Sequence, residues 1–269
     1  MVDRGTIELN RRGWDAISSN YQSETRISTE DVHYGPLGLG EKSLGLLGEV
    51  AGKKVIEIGC GGGQNAVVLA KWGAEVVGID PSREQLRFAR RLSDVEGVKV
   101  EFREGIAEDL GAFPGGSFDI AISSYAFDYV TDLGAALGEA HRVLVPGGIL
   151  VFCLSHPWFG AVGWYLIGDE DASEIGDYSS WPRVDEWDWK YPDGTRARMR
   201  DRFRTLAQVI NGVVDAGLIL ERVVEQAYED FEDPRTSKEL PYVHSIESDR
   251  EYEIGRKLPR TLIIRAAKK

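Results

Sequence analysis

Val55-Ile-Glu57-Ile-Gly59-Cys-Gly61-Gly-Gly63 is the stretch on which the reading of this 269-residue chain turns. An apolar run that ends in glycines at alternate positions predicts a buried strand whose exit lets a ligand lie against bare backbone. Further on, Glu75-Val-Val-Gly-Ile-Asp80 closes a second apolar run on an acid. At the carboxyl end of a second strand, that acid has the reach to accept both hydroxyls of a ribose. Glu57 offers negative charge to a ligand ammonium, directly or through water. Asn65-Ala-Val-Val-Leu-Ala-Lys-Trp72 has helical spacing, so the unpaired amides of a helix N-terminus suit a carboxylate there. The ligand outlined by these groups carries a ribose, an ammonium and a carboxylate. A dinucleotide fingerprint wants its last glycine where Gln64 stands, which disfavours nicotinamide cofactors.

S-adenosylmethionine has all three groups. At this point the chain resembles the class I S-adenosylmethionine-dependent methyltransferases, and the resemblance runs over roughly residues 50–155. Gly105-Ile-Ala-Glu-Asp-Leu110 is similar to the family's adenine-contacting segment. Phe118-Asp-Ile-Ala-Ile-Ser123 resembles its fourth strand, and Arg142-Val-Leu-Val-Pro-Gly-Gly148 the turn before its fifth. Many relatives have an acid where Ile106 stands, so adenine recognition here would lean on backbone and on Ala107 and Glu108. The resemblance implies further cofactor contacts at Tyr21, Pro81, Gln85, Ser123 and Ser124, with Tyr21 covering the methionyl portion. It also implies a Rossmann-like, doubly wound α/β fold, with a mainly parallel seven-stranded sheet and an antiparallel last strand.

Strands are expected at 54–58, 75–79, 98–104, 118–123 and 149–154, alternating with helices near 64–72, 82–92 and 132–144. Ser82 and Asp132 are suitable N-caps for the last two. Helical apolar spacing over 12–21 and again from Glu41 to Val50 predicts an N-terminal helical cap. Beyond Ser155 no period is sustained, so 156–203 reads as an inserted lid. The core resumes with a helix over 205–216, a strand at 220–224, a long acidic loop and a last strand at 260–266. One domain over 1–269 results, with 1–50 as cap, 51–155 as cofactor core and 204–269 completing the sheet.

A hydrophobic content of 42% is ample for a core. The net charge of −12 argues against a phosphate-binding surface and thus against nucleic acid. Cys60 and Cys153 are not in metal-like spacings, so no metal is expected and both read as small core residues. The N-terminus lacks a signal-peptide pattern and no run is long enough to span a membrane, which predicts a cytoplasmic protein. Monomer and homodimer are both compatible with the sequence.

The family moves a methyl from a sulfonium by in-line displacement, so the protein mostly aligns the partners. Where the acceptor is a hydroxyl, a nearby base helps. His156, at the end of the fifth strand where open parallel sheets place their crevice, is the preferred base. His33, in the N-terminal loop that folds over the cofactor in related enzymes, is the second candidate. Asp128 is the acid that would orient an imidazole. His141 reads as a helix residue and His244 as part of a polar loop. Tyr125, Phe127 and Tyr129 follow the fourth strand, where the family's acceptor pocket begins. Trp158, Trp164 and Tyr165 belong to an aromatic-rich stretch, with Trp181, Trp187, Trp189 and Tyr191, that could wall a pocket for a flat acceptor. The expected activity is methylation of a small aromatic, natural-product-like acceptor in secondary metabolism, on oxygen in preference to nitrogen or carbon. A non-methylating cyclase on the same fold and a nicotinamide oxidoreductase are the alternatives.

Overall fold

The computed structural model describes residues 1–168, 176–228, 240–243 and 249–269. Part of the expected lid, part of the acidic loop and His244 lie outside these described residues. Along the chain run α1 (Arg4–Glu24), β1 (Arg26–Ile27), α2 (Glu41–Leu44), β2 (Lys54–Ile58), α3 (Gln64–Lys71) and β3 (Glu75–Asp80). Next come α4 (Arg83–Val95), β4 (Val100–Glu104), β5 (Phe118–Ser124), α5 (Leu133–Val143) and β6 (Leu144–Ser155). The remainder holds α6 (Trp164–Ile167), β7 (Arg183–Lys190), β8 (Arg196–Phe203), α7 (Leu206–Asp215), β9 (Leu218–Gln226), β10 (Tyr242–Val243), α8 (Asp249–Gly255) and β11 (Thr261–Lys268).

Seven strands form one sheet in the order β4-β3-β2-β5-β6-β11-β9. The pairs from β4 through to β6 are parallel, and β11 runs antiparallel to both β6 and β9. Because helices cover both faces, alternate residues of one strand enter different cores, which is why the central strands read as continuous apolar runs. In β6, Leu150, Phe152 and Leu154 join the core beneath α5 and α7, while Ile149, Val151 and Cys153 join the one beneath α3 and α4. The order reverses between β2 and β5, and the crevice at their carboxyl ends is where such sheets bind ligands.

The expected caps are in place: Ser82 Oγ accepts from Gln85 N at 3.2 Å and Asp132 Oδ1 from Ala135 N at 3.1 Å. The helix expected from Glu41 to Val50 is a single turn, because Gly45 takes a left-handed conformation with φ of 60° and ends it. The lid is more regular than its sequence. Residues 183–203 form an antiparallel ribbon in which half-buried Arg183, Asp185, Trp187 and Trp189 alternate with exposed Val184, Glu186, Asp188 and Lys190. This is a period of two built from charged and aromatic residues, so it carries no apolar alternation to detect.

Helix α1 holds the ribbon and the sheet together. Asn10 exchanges two hydrogen bonds with the backbone of Arg200 on β8, donating to its carbonyl at 2.7 Å and accepting from its amide at 2.8 Å. One turn further, Asp15 Oδ1 accepts from Ser82 Oγ at 2.8 Å and from Glu84 N at 3.2 Å, at the start of α4.

Candidate active site

The amides of Gly59 and Cys60 both donate to the Ile79 carbonyl, at 2.8 and 2.9 Å, which ties the exit of β2 to that of β3. Gly59 has φ of 72°, and a Cβ there would lie 2.2 Å from the Ala126 side chain, so only glycine fits. Asp80 accepts from Gly61 N and from Ser82 N, each at 2.8 Å, so its carboxylate stands at the mouth of the loop. Burial raises its pKa to about 6 against the pull of those two amides.

Glu57 is sealed behind this loop with Oε2 lacking any hydrogen-bond partner. Burial, with the Asp80 carboxylate adding to it, pushes Glu57 up to about 8. An unsatisfied buried carboxylate oxygen is costly, and a ligand ammonium is the group that would complete it. The residues present therefore fit S-adenosylmethionine: Glu57 toward the ammonium, bare backbone at Gly59 and Gly61, Asp80 toward the ribose hydroxyls.

The cradle opens into a cavity of about 1700 Å³ that is bordered by α1, the ribbon and Tyr242. That exceeds the ~300–1,000 Å³ of a typical single-ligand site and leaves room for an acceptor beside a nucleoside. Trp14 stands edge-on to Tyr21, Tyr129 and Trp189 at 5.2, 5.8 and 5.8 Å between ring centres. The hydroxyls of Tyr21 and Tyr242 meet at 2.5 Å, joining α1 to β10.

Of the residues singled out in the sequence, Tyr21, His33, Glu57, Gly59, Gly61, Asp80, Pro81, Gln85, Ala107 and Glu108 all line this cavity. So do Ser124, Tyr125, Asp128, Tyr129, Trp164 and Tyr165. His33 Nδ1 is buried without a partner, and burial lowers its pKa to about 4. Its ring stands edge-on to Tyr242 at 4.9 Å.

Five residues are not on the cavity wall. His156, the preferred base, is fully buried with both ring nitrogens engaged: Nε2 meets Glu225 Oε1 at 2.9 Å and Nδ1 accepts from Trp158 N at 3.1 Å. It packs beneath β9 as a strand-end tie, and Asp128 accepts from Ser155 N and Oγ instead of from an imidazole. Ser123 is buried and donates to the Ile58 carbonyl at 2.7 Å. Phe127 is a core ring tilted against Phe152 at 4.9 Å. Trp158 is 54% exposed and stacks on Tyr178 outside the cavity. Gly63 serves packing, since a Cβ there would lie 2.7 Å from Ala89.

Sequence reasoning missed Asn65, whose side chain accepts from His33 N at 2.9 Å and donates to Ser124 Oγ at 3.2 Å. Its place in the first turn after Gly63 was a usable signal. It also missed Trp14 and the ribbon residues Arg183, Asp185 and Asp201, whose facing is set by pairing across β7 and β8.

Residues 56–152 match the family of the methyltransferase domain. The chain is 37% identical over 100 residues to a ubiquinone biosynthesis O-methyltransferase of Azorhizobium caulinodans, covering 37% of this chain and 39% of that protein. It is 39% identical over 112 residues to a demethylmenaquinone methyltransferase of Thermus thermophilus, covering 41% and 50%. These matches span half or less of the relatives' own lengths. In three dimensions the chain is similar to a putative S-adenosylmethionine-dependent methyltransferase from Listeria monocytogenes, with a TM-score of 0.62 at 22% identity over 85% of this chain and 97% of that one. A Mesorhizobium loti structure described in the same terms gives 0.59 at 22% identity over 84% and 95%. The fold is the open α/β sheet of these structures, with the glycine cradle where the strand order reverses. The domain match covers residues 56–152, and over that stretch the chain is similar to the class I S-adenosylmethionine-dependent methyltransferases.

No helix among the described residues is long and apolar enough to cross a membrane.

Proposed function

We propose that this protein moves the methyl group of S-adenosylmethionine to a hydroxyl of a small aromatic acceptor of the phenol or quinol kind. The observation that carries this reading is the continuity of the Glu57, Gly59 and Asp80 cradle with an aromatic-walled cavity large enough for a second molecule. The names of the quinone-pathway relatives support an aromatic acceptor and, for the ubiquinone enzymes, oxygen as the methylated atom. When bound, the cofactor supplies an activated methyl on a sulfonium whose leaving group is a neutral thioether. The protein's share is alignment and exclusion of water.

In this reading Glu57 receives the ammonium and Asp80 the ribose hydroxyls, while Pro81, Gln85, Ala107 and Glu108 flank the adenosine. Tyr21 and Ser124 border the methionyl portion. Tyr125 and Tyr129 face the acceptor from below, with Trp164 and Tyr165 at the side. His33, neutral at working pH because of its low pKa, accepts a hydrogen bond in the cavity. Titration with S-adenosylhomocysteine, followed by transfer of labelled methyl to catechol, hydroquinone and 1,4-dihydroxynaphthalene, tests this reading. Heat of binding and O-methylated product are expected; no heat with S-adenosylhomocysteine would refute it.

A further inference from the structure

The β7–β8 ribbon disposes of its charges differently on its two faces. On the exposed face acids and bases pair off: Arg198 meets Asp188 at 2.9 Å and Arg200 meets Glu186 at 2.6 Å. On the inward face Asp185 and Asp201 lie directly opposite each other across the two strands, and both line the cavity. Asp185 is ion-paired with Arg183. The neighbouring Arg202 turns to Asp3, at 3.7 Å. Asp201 receives no cation, and its Oδ1 is buried with no hydrogen-bond partner. Among the described residues it is the inward-facing acid of the ribbon without an ion pair.

Its position along the cavity is fixed by the next residue. The Arg202 amide donates to the Asp128 carbonyl at 2.8 Å, which stitches β8 to the segment leaving β5. Two residues earlier in that segment, Ala126 abuts Gly59. Asp201 therefore hangs over the stretch bordering the cofactor loop. Trp187, itself on the cavity wall, carries a buried indole N–H that also lacks a partner. The Trp187 indole lies near enough to the Asp201 carboxylate to pull its pKa down somewhat, yet Asp201 Oδ1 and Trp187 Nε1 each complete no hydrogen bond, and together they complement a group that both donates and accepts. A hydroxyl is such a group.

We propose that Asp201 is the catalytic residue that takes the acceptor's hydroxyl proton as the methyl is transferred, a role that rests on the methyltransferase reading above. In the step, the acceptor oxygen forms a bond to the methyl carbon, the carbon–sulfur bond breaks and its electron pair stays on sulfur. The hydroxyl proton passes to Asp201 Oδ1, giving a carboxylic acid that later loses the proton to water.

The surroundings tune this group for the task. Burial is the main cause that raises Asp201, to about 8, with the Asp128 and Asp185 carboxylates adding to it. Tyr129 also faces it, whereas Arg183 is held by Asp185 and Arg202 by Asp3, and neither cation is among the charges that act on Asp201. Proton transfer is most effective when the acceptor's pKa lies near the working pH. Asp201 meets that condition, and His33, lowered to about 4, is too weak a base to compete.

The test compares wild type with Asp201→Asn and Asp201→Glu, using catechol, hydroquinone and 1,4-dihydroxynaphthalene as hydroxyl probes and aniline as an amine probe. For Asp201→Asn, kcat is expected to fall about 10²-fold, the size of a positioned base. The rise of kcat with pH near 8 should vanish with it, while affinity for S-adenosylhomocysteine stays put and the melting temperature does not fall. Asp201→Glu should restore part of kcat and the pH limb. An unchanged kcat, a retained pH limb, or a joint loss of kcat, cofactor-product affinity and melting temperature overturns the proposal. So does a wild type that binds S-adenosylhomocysteine but methylates only aniline or none of the hydroxyl probes. A wild type that fails to bind S-adenosylhomocysteine fails earlier, and takes the methyltransferase reading with it.

Discussion

At the corner where the N-terminal cap meets the sheet, Glu41 is buried yet accepts from Tyr34 Oη at 2.6 Å, Leu46 N at 2.9 Å and Leu47 N at 2.7 Å. At the carboxyl edge of the same sheet, Glu57 is just as buried, and one of its oxygens meets nothing. The first region has spent its buried charge on architecture, gathering two backbone amides and a phenol that would otherwise be orphaned. The second leaves an oxygen open, at the place that the proposed function gives to a ligand ammonium. Burial alone therefore does not mark function; the count of satisfied lone pairs does.

The contrast can be broken most forcefully at Glu41. Glu41→Ala strands three donors in the interior and should cost about 3 kcal/mol or more of stability, read as a lower midpoint in urea unfolding. S-adenosylhomocysteine affinity, corrected for the folded fraction, should be unchanged. Asp80→Ala should do the reverse, weakening S-adenosylhomocysteine binding by about 2–4 kcal/mol in calorimetry through a lost charge-assisted contact, with the fold retained.

Glu57 sharpens the comparison through pH. Its folded pKa of about 8 stands above the ordinary 4.5, so its uncharged form is the one the empty cradle favours. Stability from this group is full below about 4.5 and is lost as pH climbs through 8. Glu57→Gln should accordingly melt above wild type at pH 9, by about 2 °C or more, and match it at pH 4. The same variant should bind S-adenosylhomocysteine about 1.5–3 kcal/mol more weakly. A Glu57→Gln protein that melts lower at pH 9 would show that the empty site is satisfied in some other way.

A smaller effect is expected from Asp80 in the wild type. Its pKa near 6 means that the carboxylate proposed to accept the ribose hydroxyls is protonated below that pH, so cofactor-product affinity should decline as pH falls through 6 and level off above it. Smallest of all, Trp158→Ala removes an exposed ring stacked at 5.9 Å on Tyr178 and should change stability by no more than about 0.5 kcal/mol, with the acceptor KM unmoved.

The proposed cofactor cradle is legible in the sequence because its parts are contiguous or one crossover apart. A strand, a glycine turn and a second strand ending in Asp80 place Glu57, Gly59 and Asp80 together whatever the rest of the chain does. The acceptor half depends on pairings far apart in sequence. His156 was placed at the right end of the right strand, but antiparallel β11 and β9 turned its ring toward Glu225, and that neighbour is 69 residues away. Asp201 sits in a run of arginines that reads as a solvated surface. Only the register with Asp185 shows that it faces inward. Helix α2 was overread because apolar spacing outlasted the helix that Gly45 ends.

One consequence of the way α1 is fastened remains. Asn10 grips the ribbon on one side of the cavity, and five residues along the same helix Asp15 grips the start of α4 beside Asp80. The two walls of the cavity thus share a single brace, and loosening either grip, by Asn10→Ala or by Asp15→Ala, should be felt at both.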